Sequence, residues 1–293
     1  MDDSGFVIPE DRLPERFADN VDNQLAQTAS AHPAATVVLM RDVDHGLEVL
    51  LLKRVRSSGF VPGVWVFPGG TVDAADSSPK VLDRARGLRL RDAEVRMDLQ
   101  DTRTPAIAYY FAALREAFEE TGILVGRNGQ NERIPTAHSE PRILAARNRL
   151  LAGQCLFADI LQEFDVFLDL GAVEYIAHWI TPATEPRRYD TRFFAAAVDE
   201  DVVPSIHEEE VTDAAWMDPQ EALTRSKAGS LPMVFPTLKT LEALADLDST
   251  TEVLEEFRSR SIPSILPRLI RTSGGVMLRI PEIISEHDRR ASE

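Results

Sequence analysis

Residues 106–123, AIAYYFAALREAFEETGI, read as a helix that stops at Gly122 and carries glutamates at 116, 119 and 120 in its last turns. At about 100° per residue, positions i, i+3 and i+4 fall within one narrow arc, so the three carboxylates crowd a single face. Like charges repel there. The helix macrodipole also presents its negative end at that terminus, so the placement is disfavoured twice. One reading is a solvated acidic face, with Arg115 and Glu119 as an ordinary i,i+4 pair. The other is a site for a hard divalent cation, Mg²⁺ or Mn²⁺, which takes oxygen ligands, keeps waters that a phosphate can replace, and removes both penalties. The upstream run Phe67-Pro68-Gly69-Gly70 favours the second reading, because Gly70 lets the backbone approach a metal or phosphate closely.

Arg115-Glu116-Ala117-Phe118-Glu119-Glu120-Thr121-Gly122-Ile123 matches the second half of the Nudix box, R-E-U-x-E-E-x-G-U with U aliphatic. Gly70, followed by Asp76, resembles the first half, G-x5-E. The chain departs from the family pattern in two ways. Aspartate stands for glutamate at 76, and 38 residues separate Asp76 from Arg115 where the family spacing is far shorter. The extra residues, 77–107, read as an insertion between the loop and the helix, a change that costs little entropy when the loop ends stay fixed. Thr104 and Pro105 then supply an N-cap and a first helical residue, so the helix is expected from 105 to Thr121. A box split in this way resembles the long-insert Nudix subfamily typified by the mammalian peroxisomal coenzyme A diphosphatase. Gly59-Phe60-Val61-Pro62-Gly63, Val72-Asp73-Ala74-Ala75-Asp76, His178-Trp179-Ile180-Thr181-Pro182 and Arg188-Tyr189-Asp190-Thr191-Arg192-Phe193-Phe194 extend the likeness over about 36 to 245. It implies a Nudix α/β/α sandwich with a mixed sheet, an insertion inside the box and a helical C-terminal extension.

The same resemblance implies water attack on one phosphorus of a nucleoside diphosphate joined to another group, with Mg²⁺ or Mn²⁺ as cofactor. The metal candidates are Glu116, Glu120, Glu119 and Gly70. Arg115 is expected to orient a glutamate. The attacking water needs a base, and the loop His207-Glu208-Glu209-Glu210 offers Glu210 first, then Glu209, beside Glu119 on the helix; the other reading of that run is a solvated acidic loop. Substrate contacts are expected from Gly69, from Arg54 and Arg56 beside the approach loop, and from the insertion. There Lys80, Arg84, Arg86, Arg89, Arg91, Arg96 and Arg103 face only five acidic residues in a chain of net charge −16. Arg84, Arg86, Arg89 or Arg91 could grip the 3′-phosphate of coenzyme A, with Arg54 or Arg56 as the second candidates for that grip, although an amphipathic helix with ordinary salt bridges would look the same. The preferred activity is hydrolysis of coenzyme A or acyl-coenzyme A to 3′,5′-ADP and (acyl-)phosphopantetheine. Alternatives are an ADP-ribose, dinucleotide or nucleotide-sugar pyrophosphatase and a non-catalytic Nudix-like ligand sensor.

With 293 residues, 44% of them hydrophobic, the chain can bury a sizeable core. Its acidity argues against a nucleic-acid surface, and the small-molecule substrate must then be met by metal and local arginines. No apolar run approaches a membrane span. The single Cys155 excludes an internal disulfide and reads as a buried small residue. The opening MDDSGFVIPEDR lacks a basic-then-apolar leader, and Ala291-Ser292-Glu293 is not a peroxisomal Ser-Lys-Leu, so a cytoplasmic protein is expected. Residues 1–31 read as an arm, 32–228 as the Nudix domain and 229–293 as an extension packed on it; arm and tail offer surfaces for a homodimer. Hairpin strands are expected at 35–41 and 47–53, further strands at 175–181, 191–198 and a last one at Trp216-Met217. Helical periodicity covers 140–170 in two pieces, then 219–226, 236–247 and 250–259, with a hairpin turn at Ser273-Gly274-Gly275. His178 is expected to pack in its strand.

Overall fold

The computed structural model describes residues 6–9 (backbone path), 30–55, 63–100, 102–182, 185, 187–273 and 275–280. Its strands are β1 (Phe6–Pro9), β2 (His32–Val43), β3 (Gly46–Arg54), β4 (Trp65–Val66), β5 (Gly69–Thr71), β6 (Ala85–Arg86), β7 (Arg127–Asn128), β8 (Val166–Asp169), β9 (Val173–Ile180), β10 (Tyr189–Ala197), β11 (Val211–Met217), β12 (Ser264–Ile265), β13 (Arg268–Thr272) and β14 (Gly275–Arg279). Its α-helices are α1 (Pro79–Leu82), α2 (Leu90–Arg96), α3 (Ala106–Thr121), α4 (Pro141–Leu151), α5 (Phe157–Glu163), α6 (Pro219–Lys227), α7 (Phe235–Leu244) and α8 (Thr250–Arg258). The chain forms two units. The larger comprises 33–177 and 192–262; the smaller holds the described parts of 1–32, 178–191 and 263–293.

In the larger unit the strand order is β11-β3-β2-β10-β9, with β4 added to β3 and β5 to β2. The β2–β3 hairpin pairs Val43 with Gly46, as the Asp44-His45-Gly46 turn predicts. Val37, Val38, Leu39 and Met40 are all fully buried, the mark of a strand covered on both faces. Gly70 pairs with Ala35 on β2, which fixes the approach loop to the sheet. Helix α3 is buried along almost its whole length, and only Glu116 and Glu119 are partly open. A helix that is apolar nearly all round has to lie inside the core. This is the α/β architecture, a mixed sheet with helices, that the sequence predicts, with the insertion inside the box.

The insertion is structured. Val81, Ala93, Met97 and Leu99 join the main core, and β6 pairs in parallel with β8. Lys80 bonds Asp159 at 2.7 Å, Arg84 bonds Asp165 at 2.9 Å, and Arg96 pairs with Glu174. Three of the seven basic side chains therefore anchor the insertion, in line with the salt-bridge reading of that stretch.

Several sequence expectations need correction. Helix α3 starts at Ala106, because Pro105 stays extended (φ −70°, ψ 155°) and is itself the cap, with no side-chain bond. The helical reading of 140–170 fails at 166–169, where Val166-Phe167-Leu168-Asp169 forms β8 after Asp165 turns at φ 51°. Met217 does not end the last strand, since β12, β13 and β14 follow. Cys155 is half-buried rather than buried.

In the smaller unit β1, β14 and β13 form an antiparallel sheet in that order, and Thr272 pairs with Gly275 across the expected hairpin turn. Gly274 itself, residues 10–29 of the expected arm and residues 281–293 lie outside the described residues. His178 is buried in its strand as expected, with Nε2 against the Asp190 carboxylate and Nδ1 2.9 Å from Ser264 Oγ.

Candidate active site

Arg115 organises the end of α3. Its Nε and Nη2 donate to the two Asp76 oxygens at 3.0 and 3.1 Å, and Nη2 also reaches the Thr71 carbonyl at 2.8 Å. Its Nη1 donates to Glu116 Oε1 at 2.8 Å and to Glu119 Oε1 at 3.2 Å. Asp76, where the family pattern has glutamate, is 2% exposed and serves here as the bidentate partner of a 7% exposed guanidinium. Planar fork geometry explains why arginine stands at this position.

Gly122 ends the helix in the left-handed region, φ 69°, and its N–H donates to Phe118 O at 2.9 Å. The approach loop meets the carboxylates from the other side. Gly69 N–H donates to Glu120 Oε2 at 3.2 Å. A Cβ at Gly70 would lie 2.5 Å from both Glu116 carboxylate oxygens, so any larger residue would displace that carboxylate. This close approach is a packing reason for the second glycine of Phe67-Pro68-Gly69-Gly70.

Burial sets the electrostatics. Desolvation pushes Glu116 up to about 7 against the opposing pull of Arg115, with Glu119 and Glu210 adding repulsion. Glu120 is 6% exposed and is driven well above the usual carboxylate range by burial, then by Glu116 and Glu210, while Gly69 N–H and Arg54 oppose the shift. Burial also raises Glu119 and Asp76. The solvated-face reading of the cluster does not hold, because these carboxylates are wholly or partly withdrawn from water and charged only at a cost.

The loop before β11 docks on the end of α3. Ser205 N–H donates to Thr121 O at 2.6 Å, and His207 N–H donates to Glu120 O at 3.1 Å. Glu210 N–H closes a turn on His207 O at 3.0 Å. Glu210 is exposed, yet its charge bears on both Glu116 and Glu120. Glu209 points into solvent, 3.9 Å from His207 Nε2. Arg147, on α4, is a site residue that sequence reasoning missed. It is 2% exposed, and its Nε and Nη2 donate to Glu119 O at 2.8 and 2.6 Å while Nη1 donates to Ser205 O at 2.6 Å. Its one available signal was a cation in a helix following a glutamate-rich helix end, whose carbonyls need partners.

Among the arginines expected to bind substrate, Arg54 lies where Glu120 feels its charge. Arg84 and Arg86 instead stack on the Phe167 ring, at 4.8 and 3.5 Å to its centroid. Arg89 is exposed ahead of α2, and Arg56 lies outside the described residues.

Among the described residues, no three Asp, Glu, His or Cys side chains converge as a ready-made cation cage, since Glu116 and Glu119 turn an oxygen to Arg115 and Glu120 accepts from Gly69. The donor set nevertheless fits a hard divalent ion. It offers carboxylate oxygens alone, on one helical turn, each made costly as an anion by burial, with Gly70 leaving the space that a Cβ would fill.

The family model described as the NUDT19 Nudix domain matches residues 24–244. The acyl-coenzyme A diphosphatase NUDT19 of Gallus gallus is 27% identical over 275 residues, covering 80% of this chain and 71% of that protein. The putative nudix hydrolase 7 of Caenorhabditis elegans is 27% identical over 253 residues, covering 84% and 71%. Among solved structures, a NUDIX hydrolase from Alicyclobacillus acidocaldarius superposes with a TM-score of 0.65 at 31% identity, covering 78% of this chain and 97% of that one. Family match, shared fold and the Arg115-centred carboxylate turn agree, and the chain belongs to the Nudix hydrolase family, within the group defined by the NUDT19 Nudix domain.

Proposed function

We propose that this enzyme is a metal-dependent diphosphatase that hydrolyses coenzyme A or acyl-coenzyme A to 3′,5′-ADP and (acyl-)phosphopantetheine. The observation that carries the reaction type is the buried turn bearing Glu116, Glu119 and Glu120, placed against the Gly69-Gly70 loop. The substrate class rests on the acyl-coenzyme A diphosphatases among its relatives. Nudix hydrolases generally use divalent metal ions, and in this chain Glu116, Glu119 and Glu120 would hold Mg²⁺ or Mn²⁺. When bound, the ion neutralises charge on the diphosphate oxygens and makes a coordinated water more acidic.

The chain's own residues supply the remaining elements. Arg115, tied to Asp76, keeps the glutamate oxygens aimed and compensates their charge in the free enzyme. Water oxygen attacks one phosphorus, the bridging P–O bond breaks, and the other phosphate leaves with the bonding electrons. Glu210, whose charge bears on both Glu116 and Glu120, takes the proton from the water. Glu209, which is solvated, is the weaker base candidate. Arg54 meets the diphosphate itself, whereas the 3′-phosphate lies far from the reacting atoms and would need a cation such as Arg86 or Arg89.

The test is a Mg²⁺-dependent panel of coenzyme A, its thioesters, 3′-dephospho-coenzyme A, ADP-ribose and dinucleotides, with product identification, run beside Glu120→Gln. Arg54→Gln should raise KM for coenzyme A and its dephospho form alike. Arg86→Gln or Arg89→Gln should raise it for coenzyme A selectively. Equal turnover of coenzyme A and ADP-ribose would replace this reading with a general nucleoside-diphosphate pyrophosphatase.

A further inference from the structure

The last carbonyls of an α-helix have no partner inside the helix, and how they are satisfied decides what the helix end is tied to. At the end of α3 each successive carbonyl is taken by a different tertiary donor. Glu119 O accepts from Arg147, Glu120 O from His207 N–H, Thr121 O from Ser205 N–H, and Gly122 O from Ala137 N–H at 3.0 Å. Two of the four donors belong to the loop that leads into Glu210. Arg147 adds a third tie to the same loop through Ser205 O.

Its guanidinium therefore joins the backbone of the glutamate turn to the backbone of the Glu210 loop. It is nearly fully buried and its hydrogen bonds run to the carbonyls of Glu119 and Ser205, so it contributes geometry and a compensating charge at the negative helix end. Burial lowers it to about 10, and it stays cationic at neutral pH. We propose that Arg147 is a positioning residue for hydrolysis, holding the Glu210 loop in register with Glu116, Glu119 and Glu120 by bridging Glu119 O and Ser205 O. This rests on the diphosphatase reading and on Glu210 as its base. A loop misplaced by about 1 Å is enough to cost on the order of 100-fold in rate. Lysine keeps the charge but cannot bridge two carbonyls in the same plane, which makes Arg147→Lys the informative variant.

Arg147→Lys and Arg147→Gln are compared with wild type in three measurements. Amide exchange at Ser205 and His207 should quicken by about tenfold or more, the loss of one charge-assisted bond. With saturating Mg²⁺, kcat for coenzyme A should fall about 10–100-fold while KM changes less than about threefold. In a Glu210→Gln background the same Arg147 substitutions should cost little further kcat, because the group they position is already gone. An undiminished cost in the Glu210→Gln background, or unchanged exchange at both amides, overturns the proposal while leaving the diphosphatase reading intact. A wild-type enzyme that cleaves no diphosphate overturns the diphosphatase reading and the catalytic part of this proposal, and amide exchange then still reports whether Arg147 holds the loop.

Discussion

Replacing Arg115 with methionine keeps the stem volume and removes every charged contact at the centre of the site. The guanidinium is the bidentate partner of Asp76 at 3.0 and 3.1 Å, and it bonds Glu116, Glu119 and the Thr71 carbonyl. Asp76 is 2% exposed, so the variant leaves a carboxylate in the interior without its cation. Breaking one side of a buried pair costs about 3–5 kcal/mol, a large share of the roughly 5–15 kcal/mol that holds a domain folded. Urea denaturation at pH 7 in EDTA measures the loss. Adding Asp76→Asn should recover about 2 kcal/mol or more, because it removes the unpaired charge, so the double variant should be more stable than Arg115→Met alone. Burial already raises Asp76, and the loss of Arg115 raises it further. A carboxyl whose folded pKa lies above its unfolded value keeps its stability at low pH and loses it as pH rises through the folded pKa. The deficit of Arg115→Met should therefore be greatest at neutral pH and shrink as pH falls towards 4. A loss below about 1 kcal/mol at pH 7 with an unchanged urea slope, or a double variant less stable than the single, would refute this account of Arg115.

Three further outcomes follow from the same geometry. Glu120→Gln should lower kcat by about 10²–10³ while leaving the metal-free urea midpoint unchanged or higher, since it neutralises a carboxylate that burial disfavours as an anion. Metal-free wild type should lose stability as pH rises from about 4.5 to about 7, the window in which Glu116 is ionised in the unfolded chain but still protonated in the folded one, and excess Mg²⁺ should flatten that decline in a thermal-shift series. Gly70→Ala places a Cβ 2.5 Å from both Glu116 oxygens, so the carboxylate must move; Mn²⁺ affinity measured by paramagnetic resonance should weaken about tenfold or more, and unchanged affinity would show that Glu116 does not need its present position.

The parts of this site that could be read from the sequence are those encoded by local spacing. Three glutamates at i, i+3 and i+4, an arginine one residue ahead and a glycine stop name the turn, its face and its end before any tertiary contact is known. The hairpin was legible for the same reason, because Asp44-His45-Gly46 separates two apolar runs at a distance only a tight turn can span. The strand at Val166–Asp169 was not. It is short and follows two helices, and what makes it extended is Asp165 at positive φ and its pairing with β6 and β7, which no local window contains. The pairing of the basic insertion is illegible for a similar reason. Composition counts charges, but Lys80, Arg84 and Arg96 are matched by Asp159, Asp165 and Glu174, all more than 70 residues away in sequence.

Arg147 is the clearest case of information that spacing cannot carry. Nothing in Arg147-Asn148-Arg149 distinguishes the first arginine from the second, yet Arg149 reaches an exposed glutamate while Arg147 is buried against Glu119 O and Ser205 O. A turn holding one buried and two half-buried carboxylates at the negative end of its own helix is electrostatically expensive, and two guanidiniums offset it. Arg115 meets the side chains and Arg147 meets the backbone. Both cations are fixed by carbonyls or by Asp76, so neither is free to follow a metal that enters. On the proposed metal role, the free enzyme is held in a state that a divalent ion would improve, and the same fixed cations would keep the carboxylates from relaxing towards water when it leaves. On that role, stability and metal affinity would be opposed at Glu116 and Glu120, so substitutions that neutralise either should stabilise the metal-free fold and weaken turnover together. If they instead destabilised it, the carboxylates would be structural partners of the two arginines, and the metal role would have to be sought elsewhere.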